Sequence, residues 1–506
     1  MAQATADGAD RPVSARRWGL TLPQLWALVV LVGIYVVLNL TLVRPHDFWW
    51  HLRTGQWICE HGRVPAVDLF SYTRLGEPYI YQMWLAEVGL YLLLRLGDLP
   101  LILSVHALLI TAAYGVSLRV NRRWAGGDLR RAAAATLIAV ALGADSWNVR
   151  PQTLSFLLFA ITLFLLEPYA AAHAAGRSER WLWALPPLFL LWANIHGAFV
   201  LGFLLLGGNV LACSIAWLRR QSPFPTGLML VTVLCFFMTF LTPAGLDIVG
   251  YILGIFRNPV VRQLTVEWMP PTIRQRDGLL LYGCVLALIV ALVASRRRPT
   301  TSESVRLLLF GALAFMSRRN IPWFGFVAAP TIAACLAARA PQPGPSATRR
   351  SGRPLLNLGL AVSVGLLAVL SLPWLRPALP LPPARRALVS GETPVQAAAY
   401  LCSLPRPVHA FHTEGYGSYL IWACPEVQVF IDTRIELYPV AQWKDLLAAS
   451  GARYDWQGIL DRYDVDTLLL ERQWQGPLIE AASASPIWAR LYEDEQAVIF
   501  QRRGAP

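Results

Sequence analysis

The chain has 506 residues, of which 55% are hydrophobic and only 15% charged, with a mean hydropathy of +0.45. Soluble domains carry about 25% charged residues, so so apolar a chain cannot cover a water-facing surface along its whole length. The net charge of +13 does not mark a nucleic-acid binder: the arginines gather in short segments between apolar runs, and no RNA-binding motif or basic helix with interleaved aromatics is present.

Residues 1–24 carry Arg11, Arg16 and Arg17 and read as a cytoplasmic N-terminal segment. The first apolar run, Leu25–Val43, is too long for a signal-peptide core and lacks a small-residue cleavage site, so it reads as a first span. Ten more apolar runs follow within residues 25–374, most close to the ~20 residues that cross a bilayer and several shorter. They are Pro100–Leu118, Ala132–Ala144, Pro151–Glu167, Trp181–Ile195, Ala198–Leu218, Gly227–Leu241, Leu279–Ala294, Leu307–Phe315, Pro322–Ala338 and Leu356–Trp374. Between them lie basic clusters around Arg119–Arg131, Arg177 and Arg180, Arg219 and Arg220, Arg296–Arg306, and Arg339–Arg353. With those clusters facing the cytoplasm the spans pair between them, and an odd span count puts residues 375–506 outside. The fold class predicted is a polytopic α-helical membrane protein of about eleven spans with a C-terminal periplasmic α/β domain.

In that tail the spacing predicts helices over Thr393–Leu401 and Pro439–Ala449 and strands over Pro407–Thr413, Val427–Asp432, Thr467–Leu470 and Ala497–Gln501. Outside the membrane, Cys402 and Cys424 are either a disulfide or two free thiols. The only low-complexity stretch is the linker Ala340–Arg353.

The outer segments hold the candidate chemistry. In the first outer loop, 44–99, helical spacing puts Asp47 and His51 on one face. That pair suits a general acid/base couple or two ligands of a divalent metal. The plainer alternative is an interfacial helix with Trp49 and Trp50 at the headgroups. Further along the same face come Arg150 and Gln152, Asn194 and His196, Glu267, and Arg318, Arg319 and Asn320. Each has a structural alternative: Arg150 snorkelling, His196 bonding a carbonyl in a tight hinge, Arg318 holding a headgroup. Taken together, carboxylates and arginines on one face fit a lipid-linked phosphate leaving group and an incoming hydroxyl.

The runs Asp47-Phe48-Trp49-Trp50-His51-Leu52-Arg53-Thr54-Gly55, Gly62-Arg63-Val64-Pro65 and Asp68-Leu69-Phe70-Ser71-Tyr72-Thr73 resemble a group of bacterial polytopic membrane proteins. So do Arg150-Pro151-Gln152, Asn194-Ile195-His196-Gly197, Glu267-Trp268, Arg319-Asn320-Ile321-Pro322, Gly417–Trp422 and Val429–Arg434. That group is similar to the GT-C glycosyltransferases that use polyprenyl phosphate sugars. The resemblance implies a location in the bacterial inner membrane, membrane lipids and a polyprenyl phosphate sugar as partners, and a carboxylate base in the first outer loop. Asp47 matches that place, but Pro45 and Trp49 flank it, so the D-x-D motif that would hold a metal is missing. Gln82-Met83-Trp84-Leu85 stands where His-Glu-Trp-Leu is often found, leaving Glu87 as a nearby acid.

On this reading Asp47, His51 and Glu267 are the catalytic candidates. Arg150, Gln152, Asn194, His196, Arg318, Arg319 and Asn320 are the candidates for holding the lipid phosphate and substrate. The alternatives are a lipid or glycolipid transporter or flippase, and a non-catalytic assembly or sensor protein with an outer binding domain. A transporter would carry mid-membrane charges and internal repeats, and neither is evident.

Overall fold

The structure, a computed structural model, describes residues 20–339, 353–404 and 408–504. The linker expected over Ala340–Arg353 lies almost wholly outside these residues, as do Arg11, Arg16 and Arg17.

A helix covers or overlaps every one of the eleven predicted spans. Among the described residues six helices are long and apolar enough to cross a membrane: Leu22–Asn39, Trp84–Trp124, Gln152–Ala174, Phe199–Leu218, Arg276–Ser295 and Arg318–Ala338. Shorter apolar helices are Thr226–Met238 and Leu355–Leu370. Local sequence sets their ends. Thr300 and Glu303 form a reciprocal capping box at the start of Thr301–Met316, and Asp128 accepts from the Arg130 amide at the start of Leu129–Gly143. The 41-residue helix Trp84–Trp124 breaks at Gly97 and Asp98, before Pro100.

Apolar side chains fill the bundle, and charges collect at its ends. At one end Arg150 precedes the helix Gln152–Leu166; at the other Glu167 follows it, paired with Arg306 and with the Trp124 indole. Fifteen helical residues separate these layers, or about 22 Å at 1.5 Å per residue.

The C-terminal region is α/β. Its sheet runs β1 (Ala410–Phe411), β2 (Thr467–Glu471), β4 (Ala497–Arg502), β3 (Trp488–Glu493) in spatial order. β1 and β2 are parallel and the other pairs antiparallel. Helices Val395–Cys402 and Val440–Ser450 lie where helices were predicted. The segment predicted as a strand over Val427–Asp432 makes single bridges instead, Val429 pairing with Ala410 on one side and with Ser71 of the first outer loop on the other. A disulfide joins Cys402 and Cys424, whose Cα atoms are 5.7 Å apart.

The first outer loop and the C-terminal region share one hydrophobic core, in which Phe48, Trp49 and Leu52 pack with Ala397, Leu420, Val429 and Ile499. A buried charge cluster locks the two together. Arg434 is 1% exposed, and its Nη1 and Nη2 each lie 2.6 Å from a carboxylate, Asp68 of the loop and Asp432 of the domain respectively.

Candidate active site

The helix Phe48–His61 carries the first part of the site. Asp47 stands at its N-terminus, and Gly62, with φ of +66°, ends it in the left-handed region that glycine adopts without strain. Gly55 lets this helix lie against the start of Trp84–Trp124, since a Cβ there would sit 2.0 Å from the Glu87 carbonyl oxygen. The contact brings His51 Nδ1 to 2.8 Å from the buried Glu87 carboxylate, with the Trp50 ring tilted by 36° against the imidazole.

A cavity of about 520 Å³ opens above this helix. Asp47, His51, Arg150, Gln152, His196, Glu267 and Arg319 all line it, together with Thr433 and Glu436 of the C-terminal region. Arg150 bridges two acids, donating to Asp47 Oδ2 at 3.4 Å and to Glu267 Oε1 at 2.8 Å. Burial alone would raise the Asp47 pKa, but Arg150, helped by His51, outweighs it and holds the carboxyl below its ordinary value. Glu267 is lowered in the same way: burial opposes, and Arg150 and Arg319 prevail.

Arg319 differs from Arg150. Its guanidinium lies over the Trp268 ring, 5.4 Å from the centroid, and it makes no ion pair among the described residues. His196 sits close enough to both arginines for their charges to act on it. Burial first, then Arg319 and Arg150, push its pKa well below the ordinary value, so the ring stays neutral. Its Nδ1 accepts from the Ala198 amide at 3.1 Å, which leaves Nε2 carrying the proton and able to donate. Gln152 is 2% exposed, and its Oε1 has no hydrogen-bond partner. Neutral and cationic donors thus face the cavity beside two ionised carboxylates.

Three predicted site residues are directed elsewhere. Arg318 pairs with Asp277, Asn194 bonds the Trp84 indole and the Leu241 carbonyl, and Asn320 bonds the Leu313 carbonyl. None of the three lines the cavity. Conversely, Glu436 and Thr433 lie on the wall but were not singled out in the sequence. Thr433 lies inside the Val429–Arg434 run quoted from the sequence, and Glu436 two residues beyond it.

The residues present do not fit a divalent metal. Asp47 and Glu267 enclose the Arg150 guanidinium, which occupies the place of a bridging cation, and His51 is turned to Glu87. Among the described residues no three His, Cys, Asp or Glu side chains are grouped to hold an ion.

No family model and no curated relative matches the sequence. Solved structures do. The archaeal oligosaccharyltransferase AglB from Archaeoglobus fulgidus, in complex with an inhibitory peptide and a dolichol-phosphate, matches with a TM-score of 0.53 at 12% identity, over 95% of this chain and 74% of that one. ArnT from Cupriavidus metallidurans, bound to undecaprenyl phosphate, matches with a TM-score of 0.51 at 16% identity, over 94% of this chain and 97% of that one. The apo form of the Archaeoglobus enzyme gives 0.51 at 12% identity, over 95% and 74%. Together with the apolar helices, these likenesses show a helical membrane protein with a GT-C-like fold.

Proposed function

We propose that this chain is an inverting glycosyltransferase that moves a sugar from a polyprenyl phosphate donor to a hydroxyl acceptor at the outer face of a bacterial inner membrane. The observation that carries the proposal is the meeting of Arg150, Arg319, Asp47 and Glu267 in one cavity at one end of an apolar bundle. That AglB and ArnT hold dolichol-phosphate and undecaprenyl phosphate supports a lipid-linked donor.

Arg319 is the anchor for the donor phosphate. Arg319 feels the charge of Glu267 but makes no direct ion pair among the described residues, so its guanidinium N–H groups are free to donate to a phosphate oxygen. His196 Nε2–H adds a second donor, and Arg150 a second cation. In the transfer step the acceptor oxygen bonds to the anomeric carbon from the face opposite the phosphate. The bond from that carbon to the phosphate oxygen breaks, and its electron pair leaves on the phosphate, where the two guanidinium groups stabilise it. The acceptor's proton goes to Asp47, already ionised because Arg150 holds its pKa down. Glu267, on the other side of Arg150, keeps that guanidinium in place and is the second carboxylate able to take the proton. His51, fixed by Glu87, orients the groups around Asp47. Arg318, Asn194 and Asn320 brace the loops that carry the site.

The test is transfer of radiolabelled sugar from total bacterial polyprenyl phosphate sugars to a lipid or extracytoplasmic acceptor. Asp47→Asn keeps the shape but removes the basic oxygen, so turnover falls by roughly 10²–10⁴ while the protein stays folded and lipid-bound. An Asp47→Asn protein as active as wild type removes Asp47 from the role of base. A wild-type protein that transfers nothing from any such pool overturns the enzyme reading.

A further inference from the structure

A second cavity, of about 630 Å³, adjoins the first. Its walls come from three places: Tyr79, Tyr81 and Trp84 of the first outer loop and the helix after it, Asp247 and Tyr251 of the helix Asp247–Arg257, and Glu436 of the C-terminal region. Tyr251, Ile255 and Glu436 line both cavities and form the partition between them. Glu436 Oε1 accepts from the Tyr79 and Tyr251 hydroxyls, each at 3.0 Å, so a carboxylate is fixed in that partition by one group from each neighbouring element.

The two cavities differ in charge. Arg44, Arg150, Arg319 and Arg434 line the first. Among the described residues no arginine, lysine or histidine lines the second, whose charged groups are Glu77, Asp247 and Glu436. Glu77 is paired with Arg74 at 3.4 Å; Asp247 and Glu436 make no ion pair among the described residues. An entering phosphate or carboxylate would meet like charge with no cation in that lining to offset it, because Arg319, whose charge reaches Glu436, lines the first cavity. The tyrosine and tryptophan faces give an apolar surface, and the fixed carboxylate accepts from hydroxyl or ammonium groups.

We propose that the second cavity binds the acceptor, and that the acceptor presents there a sugar without negative charge, neutral or amine-bearing. Glu436 is its specificity-determining residue, held at the boundary where the acceptor hydroxyl passes toward Asp47. The inference rests on the glycosyl-transfer reading and gives it a substrate class.

The experiment needs no turnover. Cys59, the exposed free cysteine, is replaced by serine, and a reporter thiol is placed in the cavity by Ala244→Cys or, in a second protein, Ala66→Cys, both lining positions. Modification rates by a cationic and an anionic methanethiosulfonate reagent are each normalised to a small free thiol. The cationic reagent should be favoured by about tenfold or more, with the preference collapsing when Asp247→Asn and Glu436→Gln are added. Methyl glucoside and glucosamine should slow modification, and glucuronate should not. Equal normalised rates for the two reagents, protection by all three sugars alike, or protection by none overturns the proposal. Binding of undecaprenyl phosphate to the same proteins is measured in parallel. Its loss with the sugar selectivity intact would overturn the transfer reading while leaving the cavity's preference established.

Discussion

Arg434→Met probes how the C-terminal region is fastened over the site. Methionine keeps much of the stem's volume but removes the charge between Asp68 and Asp432, inside a pocket formed by the Trp50, Phe70 and Tyr79 rings. Removing one partner of a buried ion pair costs about 3–5 kcal/mol, and here a single change orphans two carboxylates. Each keeps some support. Asp68 still accepts from the Phe70 and Ser71 amides and the Ser71 hydroxyl, and Asp432 from the Tyr438 hydroxyl at 2.6 Å. Those remaining bonds hold the loss near the top of the single-pair range, about 5 kcal/mol, rather than twice it. A loss of that size rivals the stability of a small domain, so the region undocks before the bundle unfolds. The assay is amide exchange at Tyr72 and Val429, because the Tyr72 amide donates to the Val429 carbonyl and the Val429 amide to the Phe70 carbonyl across the junction. At 1.36 kcal/mol per decade, exchange there should speed up by about 10³-fold or more, with the bundle amides unchanged. Adding Asp68→Asn and Asp432→Asn should recover much of the protection, since a neutral buried cluster lacks the orphaned charge. Unchanged exchange in Arg434→Met, or a triple variant worse than the single one, would refute the reasoning.

Arg319→Ala should abolish binding of undecaprenyl phosphate, a loss of order 2–5 kcal/mol for a buried charge-assisted contact; Arg319→Lys should restore only part, lacking the planar fork, and unchanged binding in both would remove Arg319 from the phosphate site. Arg150→Gln should change how stability depends on pH. In the wild type the depressed Asp47 and Glu267 pKa values contribute stability that is present above the ordinary carboxylate range and lost as pH falls below roughly 4. Without Arg150 burial prevails and both pKa values rise, so the variant should be weakened most at neutral pH and should close the gap on acidification; melting curves that run parallel from pH 7 to 4 would contradict this. For orientation, a reporter active only outside the cytoplasm should work when fused after Pro506 and be silent within Ala340–Arg353; the reverse pattern would move the proposed site to the cytoplasmic face.

The helices were legible because burial in lipid leaves a signal in composition alone, and arginine clusters mark where apolar runs stop. One missed element, the helix Glu414–Ala423, is masked by its own packing. Gly415 and Gly417 argue against a helix by propensity, yet a Cβ at either would strike a carbonyl oxygen, of Pro45 at 2.6 Å and of Ile431 at 1.9 Å. Tertiary contact, not local preference, chose those residues. β3 was missed for a related reason: Trp488–Glu493 mixes buried and exposed positions without strict alternation and is irregular where it pairs with β4.

The same distinction divides the site. Asp47, Arg150, Glu267 and Arg319 could be grouped from topology, because span order places them on one face. Topology gives no side-chain direction, however, so Arg318 and Asn320 looked equivalent to Arg319 until Asp277 and the Leu313 carbonyl were seen to hold them. Glu436 had no such signal at all. Its partner Tyr79 lies 357 residues away, and tertiary contacts bring the two segments together: the shared core, the Ser71–Val429 bridge and the buried Asp68–Arg434–Asp432 cluster. The boundary near residue 375 that composition marks is therefore not a boundary of the site. If the proposed chemistry holds, the membrane bundle supplies the groups that bind phosphate and take the proton, and the C-terminal region supplies the wall that selects what is glycosylated.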